Sequence, residues 1–354
     1  MSVDLDERLA AMLKARAGAD IDPAPIVAYA RSRGRRLRRW RRGLTAVGTA
    51  AAGAVLAGMA LVLPTGPGPD QTPRPASALL LPASPNQPGA AERPALVGRD
   101  PTVVHFTAES LVPGAENATW SAGRGTESVE FRGAEIQLRF VLARAAATLD
   151  GVRQTLSSSG RPEPPTDVRV NGRPGTAWVD PAPSGGRGLW FVRWQPVDGL
   201  WARLDIYAAS RDEATGAAGR IRFDKAQRCA VPFRLQSLPA GARVLECSVS
   251  LSRDGSGAFA EGSLVAGDES GRWLTVRAQR GPTGTGAGTG DLVAGPYRVR
   301  RQGSTVLQMS VGPCRVEVFL KGWGDGNTEA DGLMVLGGYE PAGDIDDVDT
   351  WGSP

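Results

Sequence analysis

A run of twenty residues without a charge, from Leu44 to Leu63, constrains this chain more than any other feature. A helix of that length rises about 30 Å, which matches the hydrocarbon thickness of a bilayer. Eight arginines lie just before it, between Arg31 and Arg42, and few positive charges follow it. Because positively charged flanks stay in the cytoplasm, we predict an uncleaved transmembrane helix at 44–63, with the N-terminus inside and the bulk of the chain outside. A cleavable signal peptide is the alternative, although its basic region and apolar core would be shorter.

Residues 1–43 form the predicted cytoplasmic head, and they account for the basic character of the whole chain. They carry eleven Arg or Lys against five Asp or Glu, whereas the rest of the chain is slightly acidic. The tract Arg31–Arg42 is expected to contact anionic lipid headgroups rather than nucleic acid, because it abuts the predicted span. Leu5, Leu9, Met12 and Leu13 follow helical spacing. We predict that this stripe contacts a cytoplasmic protein partner.

Two flanking segments are predicted to be solvated. Residues 64–101 are rich in proline, which favours an extended spacer between the membrane and the outer domain. Residues 341–354 form an acidic tail. Between them, short alternating runs separated by turn signals predict β-strands.

The outer domain is predicted to be α+β and to consist of two similar modules, residues 102–230 and residues 231–340. In the first module, Asn171–Gly172 has the composition of a two-residue hairpin turn, and Ser210 is expected to cap a helix. In the second module, strands again precede a helix, which is expected to begin near Asn327 or Thr328. Each module would therefore be an antiparallel sheet followed by a helix, in addition to the one transmembrane helix.

All three cysteines lie in the outer domain, where an oxidising compartment permits disulfides. Cys247 and Cys314 both fall in predicted strands of the second module, and we predict that they pair. Pairing of Cys229 with Cys247 is the alternative.

The sequence offers little catalytic chemistry. His105 is the single histidine, no nucleophile elbow or Walker A loop occurs, and no His or Cys spacing fits zinc. We therefore predict a protein that is not an enzyme and holds no cofactor or metal. An extracytoplasmic hydrolase that uses Glu127, Glu130 or Glu261 is the enzymatic alternative.

The strand at 200–207 presents the best candidate binding surface. Leu200, Leu204 and their alternating neighbours form an apolar face, so Trp201, Arg203, Asp205 and Tyr207 share the opposite one. This mixed aromatic and charged stripe is predicted to be exposed and to bind an unidentified ligand of the cell envelope.

The layout of a short Arg-rich head, one span, a proline-rich spacer and a β-rich outer domain resembles actinobacterial single-pass membrane proteins of the anti-sigma-factor type. The segment Val168–Trp178, the run LWFVRW at 189–194 and the helix after Ser210 resemble the outer domains of such proteins. The zinc-binding motif of many anti-sigma factors is absent, since residues 1–43 contain neither His nor Cys. The resemblance implies transmembrane signalling, with a sigma factor as a cytoplasmic partner. An envelope-binding or scaffold module that uses its span only as an anchor is the alternative.

Overall fold

The computed structural model describes residues 79–352, apart from 135, 152–155, 157–161, 183–185, 255–256, 282–289 and 321–326. Contacts divide the chain into two units, Met1–Asp70 and Gln71–Pro354, and every described residue belongs to the second. The predicted head at 1–43 and the predicted span at 44–63 lie outside the described residues. So do the predicted partner stripe and the arginine tract.

The described chain opens with a packed segment rather than a solvated one. Its elements are β1 (Ala83–Pro88), a 3-10 helix (Pro94–Leu96), β2 (Val103–Val104) and a second 3-10 helix (Glu109–Leu111). Leu79 and Val97 are completely buried. The prediction of an extended spacer up to residue 101 is therefore wrong for residues 79–101, because their scattered apolar side chains enter the core.

Seven strands, which form the first half of the large sheet, and two helices follow in the chain. The strands are β3 (Asn117–Gly123), β4 (Thr126–Arg132), β5 (Gln137–Ala143), β6 (Thr166–Val170), β7 (Arg173–Asp180), β8 (Gly188–Trp194) and β9 (Trp201–Ala208). Helix α1 (Ala146–Asp150) lies between β5 and β6, and α2 (Arg211–Gly219) follows β9.

Two short strands, β10 (Lys225–Arg228) and β11 (Phe233–Leu235), connect to the second half. Its strands are β12 (Arg243–Asp254), β13 (Gly257–Gly267), β14 (Trp273–Arg280), β15 (Leu292–Ala294), β16 (Tyr297–Gln302), β17 (Val306–Val311) and β18 (Cys314–Phe319). Helix α3 (Glu329–Gly337), β19 (Tyr339–Pro341) and a 3-10 helix (Val348–Thr350) complete the described chain.

The fourteen strands of the two halves form one antiparallel sheet with a repeated connectivity. Its order is β15-β16-β17-β18-β14-β13-β12-β3-β4-β5-β9-β8-β7-β6. Each half is a three-stranded meander followed by a four-stranded meander whose last strand returns beside the first meander. The halves meet where β12 pairs with β3, from Glu246 opposite Gly123 to Ser252 opposite Asn117.

The predicted α+β class is wrong. The largest sheet has fourteen strands, whereas the described α-helices contain only five to nine residues each. No described helix combines the length and the apolar character that crossing a bilayer requires. Strands from both halves share one sheet and one apolar core, so the described domain is mainly antiparallel β-structure.

Local signals did place several element ends correctly. Asn171 and Gly172 both have positive φ (49° and 79°), and they connect β6 to β7 as a two-residue turn. Ser210 caps α2 by accepting a hydrogen bond from the Glu213 backbone amide at 3.2 Å. Thr328 and Asp331 form a reciprocal capping box at the start of α3.

The core lies on one face of the sheet, under the N-terminal segment and helices α2 and α3. Trp120 on β3 is fully buried, and its indole Nε1 donates to the Leu79 backbone oxygen at 3.0 Å. Helix α2 buries only Ala214, Ala217 and Ala218. Because alanine side chains are short, the helix can lie close to the strands beneath it.

One ionisable pair lies inside this core. Glu127 and His105 are 0% and 1% exposed. The Glu127 carboxylate accepts hydrogen bonds from the Gly98 amide (3.0 Å) and the His105 amide (2.6 Å), and it lies 2.6 Å from His105 Nδ1. Glu127 therefore connects β4 to two points of the N-terminal segment.

Candidate functional site

A cavity of about 420 Å³ lies where the N-terminal segment, the centre of the sheet and the C-terminal segment meet. We call it the groove. Its lining residues are Leu80, Leu81, Pro82, Ala83, Thr107, Glu109, Lys225, Ala226, Gln227, Leu251, Ser252, Phe259, Ala260, Asp346, Asp347, Val348 and Asp349.

Strand β10 forms one wall of the groove, and a small sheet together with a disulfide fixes it in place. Gln227 pairs with Ala83 of β1 on one side and with Val104 of β2 on the other. Just beyond β10, Cys229 is bonded to Cys247 of β12, with a Cα–Cα distance of 6.2 Å. The disulfide therefore connects this wall to the strand that supplies Leu251 and Ser252.

This pairing corrects the predicted one. Cys247 lies on β12 and Cys314 on β18, and β13 and β14 lie between them. Three strand spacings alone place them at least about 14 Å apart, beyond the reach of a disulfide. Cys314 is instead a buried free thiol, and burial raises its pKa.

The end of the β12–β13 hairpin gives the groove its apolar part. Leu251 pairs with Ala260, and Ser252 pairs with Phe259. The Leu251 and Ala260 side chains are buried, whereas Phe259 is 36% exposed and is one of few large apolar side chains in the described chain with that exposure. Phe259 therefore offers an aromatic surface to a ligand.

Carboxylates outnumber cationic groups around this apolar part. The lining contains Glu109, Asp346, Asp347 and Asp349, and Lys225 is the single cation among the described lining residues. Asp346 is neutralised by an ion pair with Arg280. Asp347 and Asp349 are exposed, and Arg228 Nη2 donates to the Asp349 backbone oxygen at 3.4 Å. Two carboxylates against this guanidinium leave this end of the groove with a negative potential.

Gln227 contributes a polar atom whose hydrogen bonding is incomplete. The residue is 3% exposed, and its Nε2 donates to the Leu81 backbone oxygen at 3.3 Å. Because Leu81 offers an acceptor, the amide must keep this orientation. Its Oε1 then has no hydrogen-bond partner among the described residues. A buried acceptor without a hydrogen bond lowers the stability of a fold by about 1–3 kcal/mol relative to one that accepts a hydrogen bond.

A second cavity of about 430 Å³ adjoins the groove, and its lining also includes Thr107, Glu109 and Lys225. Arg220 and Arg222 line it as well, so its charge is more positive than that of the groove. Thr107 and Arg222 exchange backbone hydrogen bonds of 2.9 and 3.0 Å, which hold the N-terminal segment beside the chain that follows α2.

The predicted binding stripe does not join the groove. Asp205 is only 2% exposed, burial raises its pKa, and the Arg203 guanidinium donates to both of its oxygens at 2.7 and 2.9 Å. Trp201 packs against the buried cluster that includes Leu149 of α1. Tyr207 packs against a separate cluster. The four residues share one face, as alternation predicts, but Leu149 of α1 packs over part of it.

The carboxylates of the hydrolase alternative do not converge. Glu127 faces the core, where backbone amides and His105 occupy its oxygens. Glu130 and Glu261 lie on the other face and pair with Arg132 and Arg277. Strands β3 and β12 separate these two acids by about 14 Å.

Sequence reasoning missed the groove because its walls are far apart in the chain. Two signals pointed toward it. Leu79–Leu81 is an apolar cluster within a proline-rich segment, and Ile345 and Trp351 interrupt an acidic one. Ile345 and Trp351 are 2% and 1% exposed, so the prediction of a solvated tail at 341–354 is wrong for these anchoring residues.

Comparisons with known proteins give a weak structural likeness. No family model matches the chain, and no curated protein matches it. The chain is similar to a crystal structure of MucB in complex with MucA(peri), at 14% identity over 64% of this chain and 92% of that chain, with a TM-score of 0.21. It is similar at the same identity and coverage to the MucA/MucB complex of Pseudomonas aeruginosa, with a TM-score of 0.20. A likeness at this identity and TM-score carries no argument about function.

Proposed function

We propose that this chain is a non-enzymatic binding module of the cell envelope, held at the membrane, which accepts a segment of a protein partner in the groove and thereby takes part in signalling of the anti-sigma type. The observation that carries the proposal is the groove itself. It combines an exposed aromatic side chain, a buried acceptor with no hydrogen-bond partner among the described residues, and a charged rim.

The chemistry of the lining favours binding over catalysis. Its seventeen residues include no histidine or cysteine, so its hydroxyl groups have no imidazole base among the residues that form the groove. The one described histidine, His105, has its Nδ1 occupied by Glu127 and is 1% exposed. A partner segment needs only shape, apolar contact and hydrogen bonds, and the groove offers each of these.

Photo-cross-linking tests the proposal in cells that produce the full chain. Replacing Phe259 with benzoylphenylalanine places a reactive group at the groove without changing its apolar character. We expect one defined adduct, identified by mass spectrometry, because a partner segment there would lie within reach.

Val293 provides the matched control. It is also apolar and is 57% exposed, but it lies on β15 at the far end of the sheet and is not part of the groove. The same substitution there should give no such adduct. Absence of an adduct at position 259, or the same adduct from both positions, would contradict the proposal.

The proposed location rests on the uncharged run at 44–63, the arginines before it and the cysteine chemistry. Rapid acid quenching of intact cells, followed by denaturation in an alkylating agent and mass spectrometry, tests it, because denaturation exposes the buried Cys314 thiol. On the extracytoplasmic side Cys229–Cys247 should persist, so only Cys314 should be alkylated. Alkylation of all three cysteines would place the domain in a reducing compartment and contradict the proposed location.

A further inference from the structure

The groove has two features that point independently to the chemistry of its ligand. One is the buried Oε1 of Gln227, which accepts no hydrogen bond from a described residue. The other is the exposed pair of carboxylates at Asp347 and Asp349. The Gln227 oxygen favours a ligand with an N–H donor, and the two carboxylates favour a ligand with a positive charge.

Building on the proposed function, we propose that the groove recognises an extended peptide segment in which an arginine or lysine lies next to aliphatic side chains. The cation lies against Asp347 and Asp349, an aliphatic side chain lies on Phe259, and a peptide N–H faces Gln227.

The rim is more than a local run of acidic residues. Asp347 holds the 3-10 helix at Val348–Thr350 by accepting a hydrogen bond from the Asp349 amide at 3.2 Å. The indole of the buried Trp351 donates to the Asp344 backbone oxygen at 2.7 Å. The Asp347 carboxylate and the backbone that carries Asp349 are therefore held in place, which lowers the entropy lost when a cation binds.

The apolar part of the groove favours a ligand that carries an aliphatic side chain. Leu80 and Val348 are half-buried and line the same groove as Phe259, so apolar area remains available near the acidic rim. An aliphatic side chain would remove this area from water. A simple inorganic cation would leave it exposed, and the described residues contain no cluster of ligands suited to a metal ion. The pattern therefore fits a basic and aliphatic peptide.

Fluorescence anisotropy with three labelled pentapeptides tests the assignment on the purified full chain. The first has the sequence alanine-leucine-arginine-leucine-alanine with blocked ends. In the second, citrulline replaces arginine, which keeps the shape and removes the charge. In the third, glutamate replaces arginine. We expect saturable binding of the arginine peptide, at least about tenfold weaker binding of the citrulline peptide, and no binding of the glutamate peptide.

Variants of the chain assign this effect to named side chains. Asp347→Asn combined with Asp349→Asn should weaken binding of the arginine peptide about tenfold and reduce its dependence on salt. Gln227→Met keeps the side-chain length but removes the acceptor, and it should weaken binding of all bound peptides about fivefold, including the citrulline peptide.

A matched double variant controls for net charge. Asp167→Asn combined with Glu269→Gln removes two exposed carboxylates outside the groove, and it should leave binding unchanged. Three results would overturn the assignment: equal binding of the arginine and citrulline peptides, equal losses in both double variants, or no binding of the arginine peptide up to about 1 mM. The adduct at position 259 would still be observed if only this assignment fails, so the two proposals can be told apart.

Discussion

Replacing Glu127 with alanine is expected to lower the free energy of unfolding by about 3–5 kcal/mol, because its loss leaves buried groups without a partner. The carboxylate accepts from the backbone amides of Gly98 and His105 and contacts His105 Nδ1, and both side chains of the pair are buried. Guanidinium denaturation of the purified full chain, followed by tryptophan fluorescence, measures the change.

Two further variants make this result specific. Glu92→Ala removes an exposed carboxylate from the same N-terminal segment and should change the free energy of unfolding by no more than about 0.5 kcal/mol. Glu127→Gln keeps the shape of the side chain and one acceptor oxygen. Its decrease in the free energy of unfolding should therefore lie between those of Glu92→Ala and Glu127→Ala. A Glu127→Ala loss as small as that of Glu92→Ala would show that the buried pair does not hold the segment to the sheet.

Removal of the Cys229–Cys247 disulfide is expected to cause the second large loss of stability. The bond closes a loop with a sequence separation of 18, for which the chain-entropy model gives about 3 kcal/mol of stabilisation. Cys229→Ser combined with Cys247→Ser should therefore lower the free energy of unfolding by about 2–4 kcal/mol. It should also weaken binding at the groove, since the bond connects β10 to β12. Chemical denaturation and peptide binding measure the two effects.

Cys314→Ala provides the control, because it removes a buried thiol and leaves the disulfide intact. It should lower the free energy of unfolding by about 1 kcal/mol, and it should leave peptide binding unchanged. Reduction of the unmodified chain by dithiothreitol should reproduce the loss seen in the double serine variant. If reduced and oxidised chains unfold at the same guanidinium concentration, the disulfide does not stabilise this fold.

The sequence predicted those parts of the fold that short-range chemistry determines. The Asn171–Gly172 turn and the Thr328 cap depend on residues only a few positions apart, and both form as expected. Alternation along β9 also placed Trp201 and Asp205 on one face. Their exposure depends on what covers that face, and the covering elements come from another part of the chain.

The predicted fold class was wrong for the same physical reason, since it too depends on contacts between distant parts of the chain. Two modules of strands and a helix look complete in sequence, but nothing local reveals that β3 pairs with β12, whose residues lie about 130 positions later. The predicted Cys247–Cys314 pairing failed because strand order, and not membership of one module, determines distance. The groove could not be predicted because Leu81, Gln227 and Asp347 share no sequence pattern.

The position of Leu79 has a mechanical consequence. The backbone oxygen of Leu79 accepts a hydrogen bond from Trp120, and the Leu80–Ala83 wall of the groove follows directly. Tension transmitted along the backbone of residues 79–83 would strain this hydrogen bond and the one from Gln227 to Leu81. Because Leu81 lines the groove and Leu79 lies two residues before it, such tension would deform the groove.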